Sequence, residues 1–436
     1  MRLESLLVPK ATTLTGVIVR TALHTLVVSF LVVTGLSRAS QARFPLFVPN
    51  WSGKTLLIVN EESFGEPVDE GRNLIALPIL NDGTVNPKQG IALANSTTGN
   101  QTFESGDPDP VAVTPNGHFA YVQEENAEES GLAFYRFDLQ HVDTNGGSGH
   151  IKRFTFKPDW QGTGLAVLGN FLYAVVNSDG KELWRLPINP TNGDLGAPNF
   201  VVTIADGSGH EATGSDIRLT TDGTCIFASD SGSEFVFKIC IIEAPCTGLV
   251  SVWADASTGG DAPNIMSDNT IVFGPGNANL FLSQNNEVFT TTGPSGITPG
   301  SFTKIFDLPG DGGPENEGSA FTSLLSGQFL YVGNENEEEA YGAKATGTGG
   351  AVALSNAFSI SGEEGQETGV PGDQAEFDEA EGLAIIDGSP RFGNGQAFFS
   401  LNPTSAPTLD RTGLLLGIAL LFGVAAFGLR RANVAR

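Results

Sequence analysis

One phrase recurs through the body of the chain and limits what it can fold into. Its clearest copy runs from Asp109 to Asn126. It holds a short apolar strand, a tight Pro-Asn-Gly turn, and a second apolar strand ending in acidic and amide residues. Relatives begin near Phe44, Gly164, Asp216, Thr270, Ser319 and Glu381. With second strands aligned on Leu57, Tyr121, Leu172, Ile226, Phe281, Leu330 and Phe398, one copy falls roughly every 50 residues, the period of a propeller blade. A third apolar strand follows most copies, as at Lys181–Leu186, and a fourth follows several, as at Phe200–Ile204.

Burial explains why such a phrase repeats. A lone four-stranded sheet leaves both faces wet, whereas blades stacked around an axis cover one another and a closed ring protects its own edges. The expectation is an all-β propeller over residues 43–403. Seven phrases predict seven blades, with six as the alternative count. The last phrase has only two strands, so residues near 44–60 are expected to complete its blade.

Composition agrees. The chain is rich in Gly (55) and Pro (24) and only 17% charged, which suits short strands and turns better than long amphipathic helices. The net charge is −26. Outside the two termini, 15 basic residues stand against 47 acidic ones. Such a surface repels nucleic acid and anionic lipid. No P-loop, nucleophile elbow, HExxH or dinucleotide-binding glycine motif is present.

Both termini carry targeting features. Residues 1–42 combine Arg2, Lys10 and Arg20 with the apolar run Leu26–Leu36, then small residues at Ser40 and Ala42, as in a cleaved secretory signal. Residues 404–436 hold Pro407, Thr408, Leu409 and Gly413, an apolar run over 414–429 that reads as a transmembrane helix, and then Arg430 and Arg431. This end resembles the IPTL-CTERM sorting segment, a relative of the PEP-CTERM signals. The resemblance implies an exosortase-like peptidase as partner, transient membrane anchoring through the helix, and a place in the cell envelope.

The body phrases, with their Asn-Gly or Asp-Gly turns followed by Tyr-Val or Phe-Ala, resemble lactonase-like and YncE-like propellers. They are also similar to the six-bladed gluconolactonase (SMP-30-like) group. That second likeness implies lactone hydrolysis assisted by a divalent metal.

The residues just before each inner strand converge on one mouth of the channel, and here many are acidic. Asp109, Glu211, Asp268, Glu317 and Glu381 are the candidate ligands for a hard cation, most simply Ca²⁺, since carboxylates crowded around a small opening repel one another without one. Of the three cysteines, Cys240 and Cys246 bracket a short loop that a disulfide could close, which leaves Cys225 as a small buried residue. No clustered nucleophile and base is evident. The leading expectation is therefore an exported, envelope-attached propeller acting as a binding or interaction module, its ligand unknown. The alternative is a lactonase-like hydrolase with a metal at the channel mouth.

Overall fold

The structure is a computed structural model. It describes residues 46–61, 73–85, 89–93, 108–124, 132–143, 150–156, 164–177, 181–242, 248–258, 262–266, 269–309, 316, 318–334, 339–347, 351–361 and 379–401.

After a short β1 (Leu46–Phe47), strands β2 (Trp51–Glu61), β3 (Asn73–Leu80) and β4 (Ile91–Ala92) form the outer part of blade 1. Blade 2 is β5 (Pro108–Val113), β6 (Phe119–Glu124), β7 (Ala133–Asp138) and β8 (Ile151–Thr155). Blade 3 is β9 (Leu165–Leu168), β10 (Phe171–Asn177), β11 (Lys181–Pro187) and β12 (Asn199–Thr203). Blade 4 is β13 (Ile217–Thr221), β14 (Cys225–Asp230), β15 (Phe235–Cys240) and β16 (Val250–Asp255). Blade 5 holds β17 (Thr270–Phe273), β18 (Leu280–Gln284) and β19 (Glu287–Thr291). Next comes β20 (Gly300–Ser301), which pairs with β16 of blade 4, and then β21 (Thr303–Asp307), the outer strand of blade 5. Blade 6 is β22 (Ser319–Leu324), β23 (Gly327–Asn334), β24 (Glu339–Thr346) and β25 (Ala353–Ser361). The chain then returns to blade 1 as β26 (Glu379–Asp387) and finishes with β27 (Phe399–Ser400).

The ring thus has six blades, and the count of seven is corrected. Leu57, Tyr121, Leu172, Ile226, Phe281 and Leu330 all lie on second strands, but Phe398 does not. The phrase beginning at Glu381 supplies the innermost strand of the blade that Leu57 already belongs to: β26 pairs with β2, Ala384 opposite Leu57. One blade split between the two ends of the chain was counted twice. A second tie at the seam is β1 beside β27, parallel, Leu46 opposite Phe399. Innermost strands touch in the order β26, β5, β9, β13, β17, β22 and back to β26, which closes the circle.

Period-2 alternation explains why these strands are apolar on both faces. On β2, Leu57 and Val59 face blade 2 while Leu56 and Ile58 face blade 6. On β14, Ile226 and Ala228 face blade 3 while Cys225 and Phe227 face blade 5. Each of the six blade-to-blade interfaces holds one apolar cluster. A fully buried Leu in such a layer contributes about 1.5–3 kcal/mol.

Among the described residues no helix is long and apolar enough to cross a membrane. The signal segment 1–42 and the sorting segment 404–436, with its 414–429 helix, lie outside the described residues.

Candidate mouth of the propeller

All six inner strands begin at the same end of the ring, where the second strands finish. Each second strand ends in an amide or acid: Glu61, Glu124, Asn177, Asp230, Gln284 and Asn334. Where the side chains are described, much of this polarity holds loops in place. Asp230 is buried, and its carboxylate accepts from the backbone N–H groups of Thr213 at 3.0 Å, Gly214 at 2.8 Å and Ser233 at 2.8 Å. Gln284 does the same one blade on. Its Oε1 accepts from Met266 N–H, and its Nε2 donates to Pro263 O. In both cases the end of a second strand pins the segment that leads into its own blade. Asn334 instead donates to Asn286 Oδ1 at 2.8 Å, and Asn316 Oδ1 accepts from Asn286 N–H at 2.7 Å, so these buried amides join blades 5 and 6.

A second group at this end carries charge. Arg218 is the only basic residue on the six inner strands. It is buried, and its Nε lies 3.0 Å from Asp216 Oδ1, which is buried as well. That contact is one of charge more than an aligned hydrogen bond. Asn269 reaches the pair from blade 5: its Nδ2 donates to Asp216 Oδ2 at 3.4 Å and to Met266 O at 3.0 Å, while its Oδ1 accepts from Ser229 Oγ at 2.6 Å. On blade 3, burial holds the Lys181 ammonium below its usual range, with the Asp230 charge opposing the shift.

The five expected metal ligands fare differently. Glu381 is 1% exposed and sits at the start of β26, inside a bulge: Ile58 pairs with Leu383 but Asn60 with Ala380. Asp109 lies in β5 inside a matching bulge, where Val122 pairs with Val111 but Glu124 with Pro108. The two acids therefore occupy the same register position on neighbouring inner strands, and bulges commonly re-aim side chains near sites. The side chain of Asp109 is outside what the structure describes. Glu211 is exposed, in a turn bridged to Ala205. Asp268 and Glu317 lie outside the described residues. Among the described residues no group of three or more His, Cys, Asp or Glu side chains converges as a metal centre.

Elsewhere, carboxylates cap turns. Asp82, Asp206, Asp222 and Asp255 each accept from N–H groups two or more residues ahead, the Asx geometry that favours Asp in tight loops. His118 is exposed beside its turn. His150 is buried: Nε2 donates to Leu93 O at 2.6 Å and Nδ1 accepts from Asp143 N–H at 3.1 Å. That fixes its tautomer and makes it a brace between blades 1 and 2. Cys246 lies outside the described residues. Cys225, the residue left over in the sequence, stands directly opposite Cys240.

Sequence reasoning missed Arg218 and Asn269. The only available signal was that a basic residue interrupts an otherwise uncharged inner strand, and nothing in the sequence places Asn269 against it.

No family model matches the sequence, and no curated protein matches it. Solved propellers do resemble it. A periplasmic gluconolactonase of Pseudomonas aeruginosa is 17% identical, with 72% of this chain and 85% of that one covered and a TM-score of 0.43. A Bacteroides fragilis protein described as a 6-phosphogluconolactonase is 15% identical, covering 77% and 98%, TM-score 0.44. The propeller domain of Cps50 from Myceliophthora thermophila is 13% identical, covering 72% and 87%, TM-score 0.38. At such identities and scores the likeness says nothing of activity; the chain is similar to lactonase-like β-propellers in fold.

Proposed function

We propose that this is an exported, envelope-attached propeller that binds a small, hydroxyl-rich acid or its lactone at the mouth where the inner strands begin. Arg218 carries the reading. Replacing a buried ion pair with apolar side chains is often neutral or stabilising, so the Arg218–Asp216 pair is poorly explained as a stabilising device. A guanidinium presents a planar fork of donors that matches a carboxylate or a lactone carbonyl. In a body with 15 basic residues against 47 acidic ones, a cation on an innermost strand at the mouth marks the place where an anionic group is welcome.

Hydrolysis of the lactone is the second reading, favoured by the matching bulges of Asp109 and Glu381. Glu381 stands on blade 1, across a six-bladed ring from Arg218 on blade 4, and Asp109 stands on blade 2 beside it. A carboxylate there would take a proton from water while Arg218 stabilises charge growing on the carbonyl oxygen. A divalent ion such as Ca²⁺ bound between the acids would add polarisation of that carbonyl.

A thermal-shift screen of aldonic acids and aldonolactones, followed by a pH-stat assay of lactone opening with and without Ca²⁺, tests both readings. Stabilisation by acid and lactone with no turnover supports binding. Turnover above the spontaneous rate supports the hydrolase. No shift with either compound class and no turnover removes both.

A further inference from the structure

The sequence pairs Cys240 with Cys246 by proximity, but the sheet offers Cys240 another partner. Cys225 opens β14 and Cys240 closes β15, and the antiparallel register sets them directly opposite. Their backbone hydrogen bonds point away from each other. Cys225 N–H donates to Asp222 Oδ1 at 2.7 Å, and its carbonyl accepts from Thr221 Oγ1 at 2.8 Å, both on the β13 side. Cys240 N–H donates to Leu249 O at 3.1 Å, and its carbonyl accepts from Gly248 N–H at 2.7 Å, both on the β16 side. The two residues therefore form the non-hydrogen-bonded type of cross-strand pair, with Cα atoms typically about 4.5 Å apart and side chains closest. That spacing falls within the range of roughly 4.4–6.8 Å that a disulfide spans. Both side chains also share a face, buried in the cluster between blades 4 and 5 with Phe227 and Phe273.

We propose that the disulfide of the oxidised protein joins Cys225 to Cys240, leaving Cys246 as the thiol. The oxidant is an external disulfide, either a thiol–disulfide oxidoreductase or oxidised glutathione. One cysteine thiolate attacks it to give a mixed disulfide, and the second displaces the remaining sulfur. A Cys225–Cys240 S–S bond forms, the oxidant's S–S bond breaks, and the two thiol protons end on the oxidant's sulfurs. Both cysteines are buried beneath blade 5 in the finished ring, so exchange belongs to folding, before that face is covered. The bond would clamp the edge of blade 4 at the end of β14 opposite Asp230.

The test is peptide mapping of the full chain, refolded in detergent with oxidised glutathione, alkylated and digested without reduction. The expected result is a 225–240 cross-linked peptide, one alkylated cysteine at Cys246, and the same link retained in Cys246→Ser. The thermal midpoint of Cys225→Ser should fall below wild type under oxidising conditions and match it more closely under reducing ones. A 240–246 or 225–246 link, or three alkylated cysteines in folded protein, overturns the proposal.

Discussion

The hydroxyl of Tyr121 donates to the carbonyl of Gly193 at 2.7 Å, and so ties the second strand of blade 2 to the outer hairpin turn of blade 3. Tyr331 of blade 6 makes the same bond, also 2.7 Å, to Gly83 in the outer hairpin turn of blade 1. Burial raises both phenols above their usual range, which keeps them neutral donors. Each glycine is held at positive φ, +71° and +89°, against an aromatic ring two residues before the tyrosine. A Cβ would come within 2.6 Å of Phe119 at Gly193 and within 2.1 Å of Phe329 at Gly83. Tyr121→Phe and Tyr331→Phe are expected to destabilise by about 1 kcal/mol each. Gly193→Ala and Gly83→Ala should lose more, about 2–3 kcal/mol, since overpacking and backbone strain add. Urea unfolding midpoints check the order; an alanine milder than its phenylalanine counterpart would contradict it.

Asp230 should matter more for stability than its acidity suggests. Asp230→Ala leaves three buried or half-buried N–H groups without their acceptor, a loss of about 3 kcal/mol or more. Asp230→Asn keeps part of the acceptor capacity and should lose less. Hydrogen exchange at Gly214 and Ser233 should quicken in both variants while amides in blades 1 and 2 stay protected.

His150 gives a pH signature. Burial, the largest influence, lowers its pKa beneath the ordinary value of 6.5, so the unfolded chain takes up this proton before the folded one does. Stability is therefore intact above about pH 7 and declines as pH falls through 6.5 toward the folded pKa, by at most about 1.4 kcal/mol per pH unit. His150→Gln can keep both hydrogen bonds without titrating. Its stability should change less between pH 7 and 5.5 than that of wild type, and parallel curves would rule out His150 as the source.

The termini make a separate prediction. Deleting residues 406–436 is expected to release the propeller into the medium, seen by immunoblot of culture supernatant. Retention in the envelope would mean that another element anchors it.

How much of this was legible follows from which interactions are local. The strand-turn-strand phrase is local, so Leu57 through Leu330 fell on second strands without a structure. Ring closure is not local. Ala384 meets Leu57 across more than three hundred residues, and each half of that blade reads as a blade of its own. Where the inner strands begin was legible from the repeated phrase, but the roles of the polar groups gathered there were not. Asp230 differs from Asp216 only through the groups folded around it: backbone N–H donors in one case, a guanidinium and Asn269 in the other. Asp109 and Glu381 were two of five candidate ligands in the sequence, and only register shows that they occupy equivalent bulges. Cys225 and Cys240 were separated for the same reason, since strand pairing and not sequence distance sets them face to face.

The most direct measurement of the mouth assignment is calorimetric titration of the protein with gluconate and its lactone. Wild type is compared with the double variant Asp216→Asn, Arg218→Gln, which removes both buried charges together and so leaves no lone ion in the core. The account predicts saturable binding by wild type and at least about a tenfold weaker dissociation constant in the double variant, equivalent to about 1.4 kcal/mol, with the unfolding midpoint little changed. Equal affinity in the two proteins would contradict it.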